Sequence, residues 1–263
     1  MKQVLTIAGS DSGAGAGIQA DLKAMAANGV YGISVITSIT AQNTMGVTDI
    51  FDLPLSIIFS QIDTVFNDFD ISAVKIGMLS NEEIIGVVAD RMRKYNVKRL
   101  IVDPVMVAKG GSKLLQDNAI DKLKNLLVPI AYLITPNIEE AKVLVDIDKI
   151  ENIDDMKVAC KKLKKLGSRN VLLKGGHLDG ELTYDVLYDG KNFDIFYMQR
   201  INTKNTHGTG CTMASTIAAN IAKGDTLSES VRKAKGYVYN AILSGKDMNI
   251  GKGHGPLNHF FLK

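Results

Sequence analysis

The chain has 263 residues, 46% of them apolar and 22% charged, with a formal net charge of +3 at pH 7. This balance excludes disordered and fibrous classes and leaves enough apolar material for one large core, so a single domain over residues 1–263 is expected. The lysines are spread over several helical segments instead of clustering with arginines and aromatics, which argues against a nucleic-acid partner.

Two cysteines, Cys160 and Cys211, make no disulfide framework, and no basic and apolar leader opens the chain. The apolar runs are too short to span a bilayer. A cytoplasmic setting without a membrane partner is therefore expected.

In chain order, strand-like runs at residues 4–8, 33–39, 74–76, 100–102, 132–134 and 171–173 alternate with segments of helical periodicity. The helical segments are 17–28, 56–67, 82–95, 118–127, 138–145, 154–166, 212–223 and 228–243. Met156, Ala159, Leu163 and Leu166, for example, form one apolar stripe. This βαβ rhythm predicts an α/β fold with a mostly parallel sheet and helices on both faces. Around Asp189-Gly190 two short strands replace the pattern and predict an antiparallel edge.

Three groups of residues carry chemistry. The first is the glycine-rich run Gly9-Ser10-Asp11-Ser12-Gly13-Ala14-Gly15-Ala16-Gly17 between the first strand and the first helix. Such a loop brings backbone close to a ligand and points N–H groups at it, or else is a tight turn with no ligand. It lacks the P-loop lysine. Although Gly15-Ala16-Gly17-Ile18-Gln19-Ala20 fits a relaxed dinucleotide pattern, no Asp or Glu occurs from Leu22 to Thr48 to hold a ribose.

The second is Asn205-Thr206-His207-Gly208-Thr209-Gly210-Cys211 ahead of an apolar helix, where successive N–H groups and the helix dipole build an anion hole. Cys211 there is either a small core residue or a thiol of lowered pKa that serves as proton acceptor. The third joins Asp103-Pro104-Val105-Met106 and Thr135-Pro136-Asn137 at successive strand ends, with Glu140 after them and Lys174-Gly175-Gly176-His177 at a further strand end. Asp103 and Glu140 can share Mg²⁺ at the carboxyl edge of a parallel sheet, or Asp103 and Asn137 are turn and cap residues only. A lysine at a strand end, here Lys174, neutralises triphosphate charge. Cys160 and the methionines Met25, Met92 and Met156 read as packing, and the four histidines lack zinc-site spacing.

These motifs, together with Leu5-Thr6-Ile7-Ala8, Asp21-Leu22-Lys23, Thr40-Ala41-Gln42-Asn43-Thr44 and Lys75-Ile76-Gly77-Met78-Leu79, resemble the hydroxymethylpyrimidine (phosphate) kinases of thiamine biosynthesis over nearly the whole chain. The resemblance implies a three-layer α/β/α ribokinase-like fold. It also implies two successive transfers from ATP with Mg²⁺, to 4-amino-5-hydroxymethyl-2-methylpyrimidine and then to its monophosphate, and it suggests a homodimer. On this resemblance Gln42 reads the pyrimidine edge, with Gly9, Asp21, Met78 and Val105 around it. Asn137, Lys174 and Lys235 serve ATP, Asp103 and Glu140 the metal, and Gly208, Thr209, Gly210 and Cys211 the transferred phosphoryl group. A pyridoxal kinase of the same fold and a non-catalytic pyrimidine- or nucleotide-sensing module are the alternatives. The Gln42 amide matches the paired donor and acceptor edge of a pyrimidine better than it matches pyridoxal.

Overall fold

Residues 1–107, 111, 114–176 and 178–261 are described by the structure, a computed structural model; His177 of the lysine-glycine motif lies outside them. In chain order the elements are β1 (Gln3–Asp11), α1 (Gly17–Ala27), β2 (Tyr31–Asn43), β3 (Gly46–Asp52), α2 (Leu55–Asp68), β4 (Ile71–Ile76), α3 (Glu82–Lys94), β5 (Leu100–Val102) and α4 (Asp117–Lys122). They continue with β6 (Leu133–Ile134), α5 (Ile138–Val145), α6 (Ile153–Lys164), β7 (Val171–Lys174), β8 (Leu182–Tyr188), β9 (Phe193–Gln199), α7 (Thr209–Lys223) and α8 (Leu227–Gly245).

The strands form one nine-stranded sheet in the order β3-β2-β1-β4-β5-β6-β7-β8-β9. From β2 to β7 neighbours run parallel, whereas β3 is antiparallel to β2 and β8 is antiparallel to both β7 and β9. The expected antiparallel edge is thus present as β8 and β9. The opposite edge was not anticipated: β3 carries Asp49 and Asp52 and has no fully buried residue, so it shows no apolar run to read. The segment expected as one helix over 118–127 is α-helical only to Lys122. It then widens into a π turn, Leu123–Leu127, and ends in a 3₁₀ turn, Val128–Ile130, whose Pro129 has no N–H to continue a helix.

Period-two alternation divides the core. Leu5, Ile7, Val74, Ile76, Leu100, Val102, Val171 and Leu173 face α2 to α6, while Val4, Ala73, Ile101 and Leu172 face α1, α7 and α8. The same alternation places Thr6, Lys75, Asp103 and Lys174 on the α1/α7/α8 face, the last three at or within one residue of the carboxyl ends of their strands. Polar side chains that the sequence scatters over 168 positions are gathered there, where open parallel sheets bind ligands.

Candidate active site

A cavity of about 640 Å³ opens at that sheet edge. Its walls include Gly9, Gln42, Met78 and Val105 at one end and Asn137, Glu140, Lys174 and Lys235 at the other, with Asp103 and Gly208 to Cys211 between them. Of the residues expected at the site, all but Asp21 line this one space.

In the glycine-rich run at residues 9–17 the N–H groups of Gly13, Gly15 and Ala16 are taken by the chain itself, although Gly9, Ser10, Asp11, Ala16 and Gly17 line the cavity. Asp11 at the end of β1 accepts from the N–H groups of Gly13 (2.8 Å), Gly15 (3.1 Å) and Ala16 (2.8 Å), and Gln19 accepts from the Asp11 N–H. Asp11 Oδ2 also lies 2.9 Å from His207 Nε2. Burial works against the Asp11 charge, but the His207 and backbone hydrogen bonds hold its carboxyl below the usual carboxylate range. The loop is a nest already filled by its own carboxylate.

The second loop is open. α7 begins at Thr209, three residues earlier than its apolar periodicity indicates; in its first turn the Thr209 N–H donates to the Thr206 carbonyl at 3.4 Å, and the Gly210 and Cys211 N–H groups have no partner inside the helix. Gly208 is its cap at φ +84°, and a β-carbon there would overlap the carbonyl oxygen of Gly15. Glycine is required on both counts. A β-carbon at Gly210 would lie 3.3 Å from Lys174 Nζ and 3.5 Å from Asp103 Oδ2, which sets the helix N-terminus directly against these two side chains.

Lys174 Nζ donates to Asp103 Oδ1 at 2.7 Å and Thr135 Oγ1 donates to the same oxygen at 2.8 Å. Burial raises the Asp103 carboxyl pKa, yet Lys174 and Lys75 outweigh it and leave the group below its ordinary value. Glu140 closes a capping box with Asn137 at the start of α5, their mutual bonds measuring 2.8 and 2.9 Å. The turn-and-cap reading of Asn137 is therefore correct, and the same residue still faces the cavity. Burial pushes Glu140 up to about 7, Lys174 pulls it down and Asp103 adds to the rise.

Among the described residues no group of three or more His, Cys, Asp or Glu side chains is placed to hold a metal ion. The two carboxylates Asp103 and Glu140 nonetheless fit Mg²⁺. That ion binds through one or two carboxylates, with phosphate oxygens and water completing the shell.

Three further expectations change. Burial pushes the Cys211 thiol up to about 11; Lys75 pulls against this, while Asp21 and Asp103 add to it. The direction is opposite to the expected lowering, because removal from water outweighs the Lys75 charge and the Gly17 N–H bond. Asp21 does not face the cavity: fully buried, it pairs with Lys75 at 2.9 Å and accepts from Thr6 (2.7 Å) and Ser215 (2.7 Å). Ser215 lies one turn beyond Cys211 on α7, so the ion pair props the base of the anion hole. Lys235 faces the cavity with its ammonium committed to Asp185 Oδ2 at 2.7 Å.

Sequence reasoning missed Asp11, His207 and Asp185. The first two belonged to motifs already singled out, and only their spatial meeting gives them meaning. Asp185 lies in β8, whose face is set by its pairing with β7.

Comparisons with known proteins give the family. A family model described as phosphomethylpyrimidine kinase matches residues 11–258. A hydroxymethylpyrimidine/phosphomethylpyrimidine kinase of Haemophilus influenzae is 49% identical over 99% of this chain and 97% of its own. A thiamine biosynthesis bifunctional protein of Geobacter sulfurreducens is 50% identical over 97% of this chain, which spans 52% of that protein's length. Among solved structures, a phosphomethylpyrimidine kinase of Clostridium difficile is 48% identical (TM-score 0.82), covering 92% of this chain and 100% of its own. An ADP complex of Bacillus subtilis pyridoxal kinase is 37% identical (TM-score 0.91), covering 100% and 98%.

Proposed function

The chain belongs to the phosphomethylpyrimidine kinase family, and from that premise we propose that it transfers phosphoryl groups from ATP to an aminopyrimidine alcohol and then to the resulting monophosphate. The observation that carries the reading is the placement of one open helix N-terminus, Thr209 to Cys211, against Lys174 and Asp103 in the same cavity as Gln42.

In this reading the acceptor ring lies at the Gln42 end, bounded by Gly9, Met78 and Val105, and the triphosphate lies at the end of Asn137, Lys174 and Lys235. Asp103 and Glu140 hold Mg²⁺, which when bound neutralises phosphate charge. The N–H groups of the α7 first turn hold the phosphoryl group in transit, so that rate acceleration comes from positioning and charge stabilisation. The Cys211 sulfur sits beside that turn. With its thiol protonated at rest, the backbone N–H is its principal contribution.

We extend the proposal to one kinase domain over residues 1–263, which the continuous nine-stranded sheet supports, and to a cytoplasmic homodimer without nucleic-acid or membrane partners. No helix among the described residues is long and apolar enough to cross a membrane. The exposed Ile39, Met45 and Phe51 on β2, β3 and the turn between them offer an apolar face to a second copy. Light scattering at micromolar concentration decides the dimer.

The test of activity is ADP release with ATP and Mg²⁺ in the presence of the pyrimidine alcohol, its monophosphate, pyridoxal or ribose. Turnover of both pyrimidines at the highest kcat/KM is expected. Turnover of pyridoxal alone would favour the pyridoxal kinase reading, and no turnover at all would favour a sensing module.

A further inference from the structure

The three side chains that link the two glycine loops to β2 decide which way the Gln42 amide faces. As placed, the amide nitrogen lies 3.3 Å from His207 Nε2 and the amide oxygen accepts from Thr40 Oγ1 at 3.0 Å; the two amide atoms are told apart only by their partners, and those partners call for the opposite orientation. His207 Nε2 is also 2.9 Å from Asp11 Oδ2, and Thr40 Oγ1 is 2.9 Å from the carbonyl oxygen of Ser10. His207 and Thr40 are 7% and 3% exposed, so both are held mainly by protein partners at the cavity wall. The His207 ring is clamped in place, since a β-carbon at Gly15 would overlap its Cδ2.

Donor and acceptor chemistry then leaves one arrangement. Asp11 accepts from three backbone N–H groups and its carboxyl is held below the usual range, so it is ionised and can only accept. His207 Nε2 must carry a proton to bond with it. A nitrogen that carries a proton cannot accept one, so the amide atom facing His207 is the oxygen. On the other side, the single Thr40 hydroxyl proton goes to the Ser10 carbonyl, which can only accept. Thr40 Oγ1 therefore accepts from the amide NH₂.

We propose that His207 is a specificity-determining residue: with Asp11 behind it and Thr40 opposite, it locks Gln42 with its oxygen on the His207 side and its NH₂ on the Thr40 side, so the site selects an exocyclic amino group beside an unprotonated ring nitrogen. This inference rests on the reading of Gln42 as the pyrimidine contact. The remaining lone pair of the amide oxygen accepts from the substrate amino group, and the remaining amide N–H donates to the ring nitrogen. A 4-oxo analogue presents the opposite polarity, N–H beside C=O. Reading it requires the amide to turn by half a revolution, which would set its NH₂ against the His207 N–H, two donors face to face.

The experiment compares kcat/KM for the 4-amino pyrimidine alcohol and its 4-oxo counterpart in the parent, His207→Ala, His207→Asn and Thr40→Val, with ATP KM and melting temperature measured for each. The parent should prefer the amino compound by roughly 10²-fold or more, the range expected when a mismatched edge leaves buried polar groups unpaired. His207→Ala should reduce the preference to less than about tenfold, through the KM values of the two pyrimidines with ATP KM unchanged. Thr40→Val, nearly isosteric, should shift it in the same direction by less. His207→Asn, which keeps a side-chain N–H, should recover part of it.

If His207→Ala does not fold, Thr40→Val decides the matter. An undiminished preference in the folded variants overturns the inference. Gln42→Ala separates the two levels: a raised pyrimidine KM in Gln42→Ala with undiminished preference in the others sinks this inference alone. An unchanged KM in Gln42→Ala sinks the placement of the substrate as well.

Discussion

Residues 9–17 and residues 205–211 each lead into a helix through glycines, yet they spend their N–H groups differently. In the first, Gly13, Gly15 and Ala16 donate to Asp11, whose carboxylate stands where a ligand anion would otherwise sit. In the second no acidic side chain folds back, and the first-turn N–H groups of α7 face a cavity holding Lys174. A glycine-rich helix start is thus an anion site only when no residue of the chain has already occupied it. The two loops also hold each other, because Gly208 packs on the Gly15 carbonyl and Asp11 bonds to His207.

The strongest way to break this arrangement is Gly208→Ala. A β-carbon there meets backbone, which cannot yield as a side chain can, and φ +84° is itself strained for alanine. A loss on the order of 4 kcal/mol or more in urea unfolding is expected, with activity abolished. Gly210→Ala makes the contrast, since its β-carbon meets only the Lys174 tip and an Asp103 oxygen. It should change stability by less than about 1 kcal/mol while lowering kcat.

Next is Asp11→Ala, which empties the filled nest. Three loop N–H groups and the His207 proton lose their acceptor, for an expected cost of about 2–4 kcal/mol. An equal melting temperature for the variant and the parent would show that the loop does not need its internal anion. The sign of the pH effect follows from the lowered Asp11 value. Its stabilisation is fully present above an unfolded pKa near 3.8 and is lost as pH falls through the folded value. Acid unfolding of Asp11→Asn should therefore begin from lower stability and fall less steeply at the acid end.

Lys174→Ala sharpens the comparison from the open side. It removes the ammonium facing the α7 terminus and leaves Asp103 with only Thr135 and the more distant Lys75. ATP KM should rise by roughly tenfold or more at nearly unchanged pyrimidine KM, as expected for a lost charge-assisted contact. Equal ATP KM would remove Lys174 from the nucleotide end.

The smallest effect is expected from Cys211→Ser. Serine keeps the backbone N–H, and a thiol held near 11 is protonated at neutral pH. The loss in kcat should be under about 10²-fold, below the 10²–10⁴-fold typical of a general base. A larger loss accompanied by a missing limb in the pH–rate profile would restore the thiolate as proton acceptor.

Much of this molecule was legible in residue order. Strand and helix rhythm follows from backbone periodicity, which every residue reports locally, and so the parallel sheet, α5 at its full length and the β8–β9 hairpin could all be read. The motif residues Asp103, Asn137, Lys174 and Gly208 to Cys211 could be picked out because glycines, prolines and charged groups at strand ends are visible one by one, whereas Gln42 was found only through the family resemblance. Tertiary structure alone decided the rest. Whether Asp11 fills its own nest, whether Asp21 meets Lys75 in place of a ligand, and whether Cys211 is enclosed enough to hold its proton depend on distances between residues far apart in the chain. Hydrogen-bond partners and burial are properties of the packed state. The identity of a side chain limits what it can donate or accept, but only its neighbours determine where its protons go.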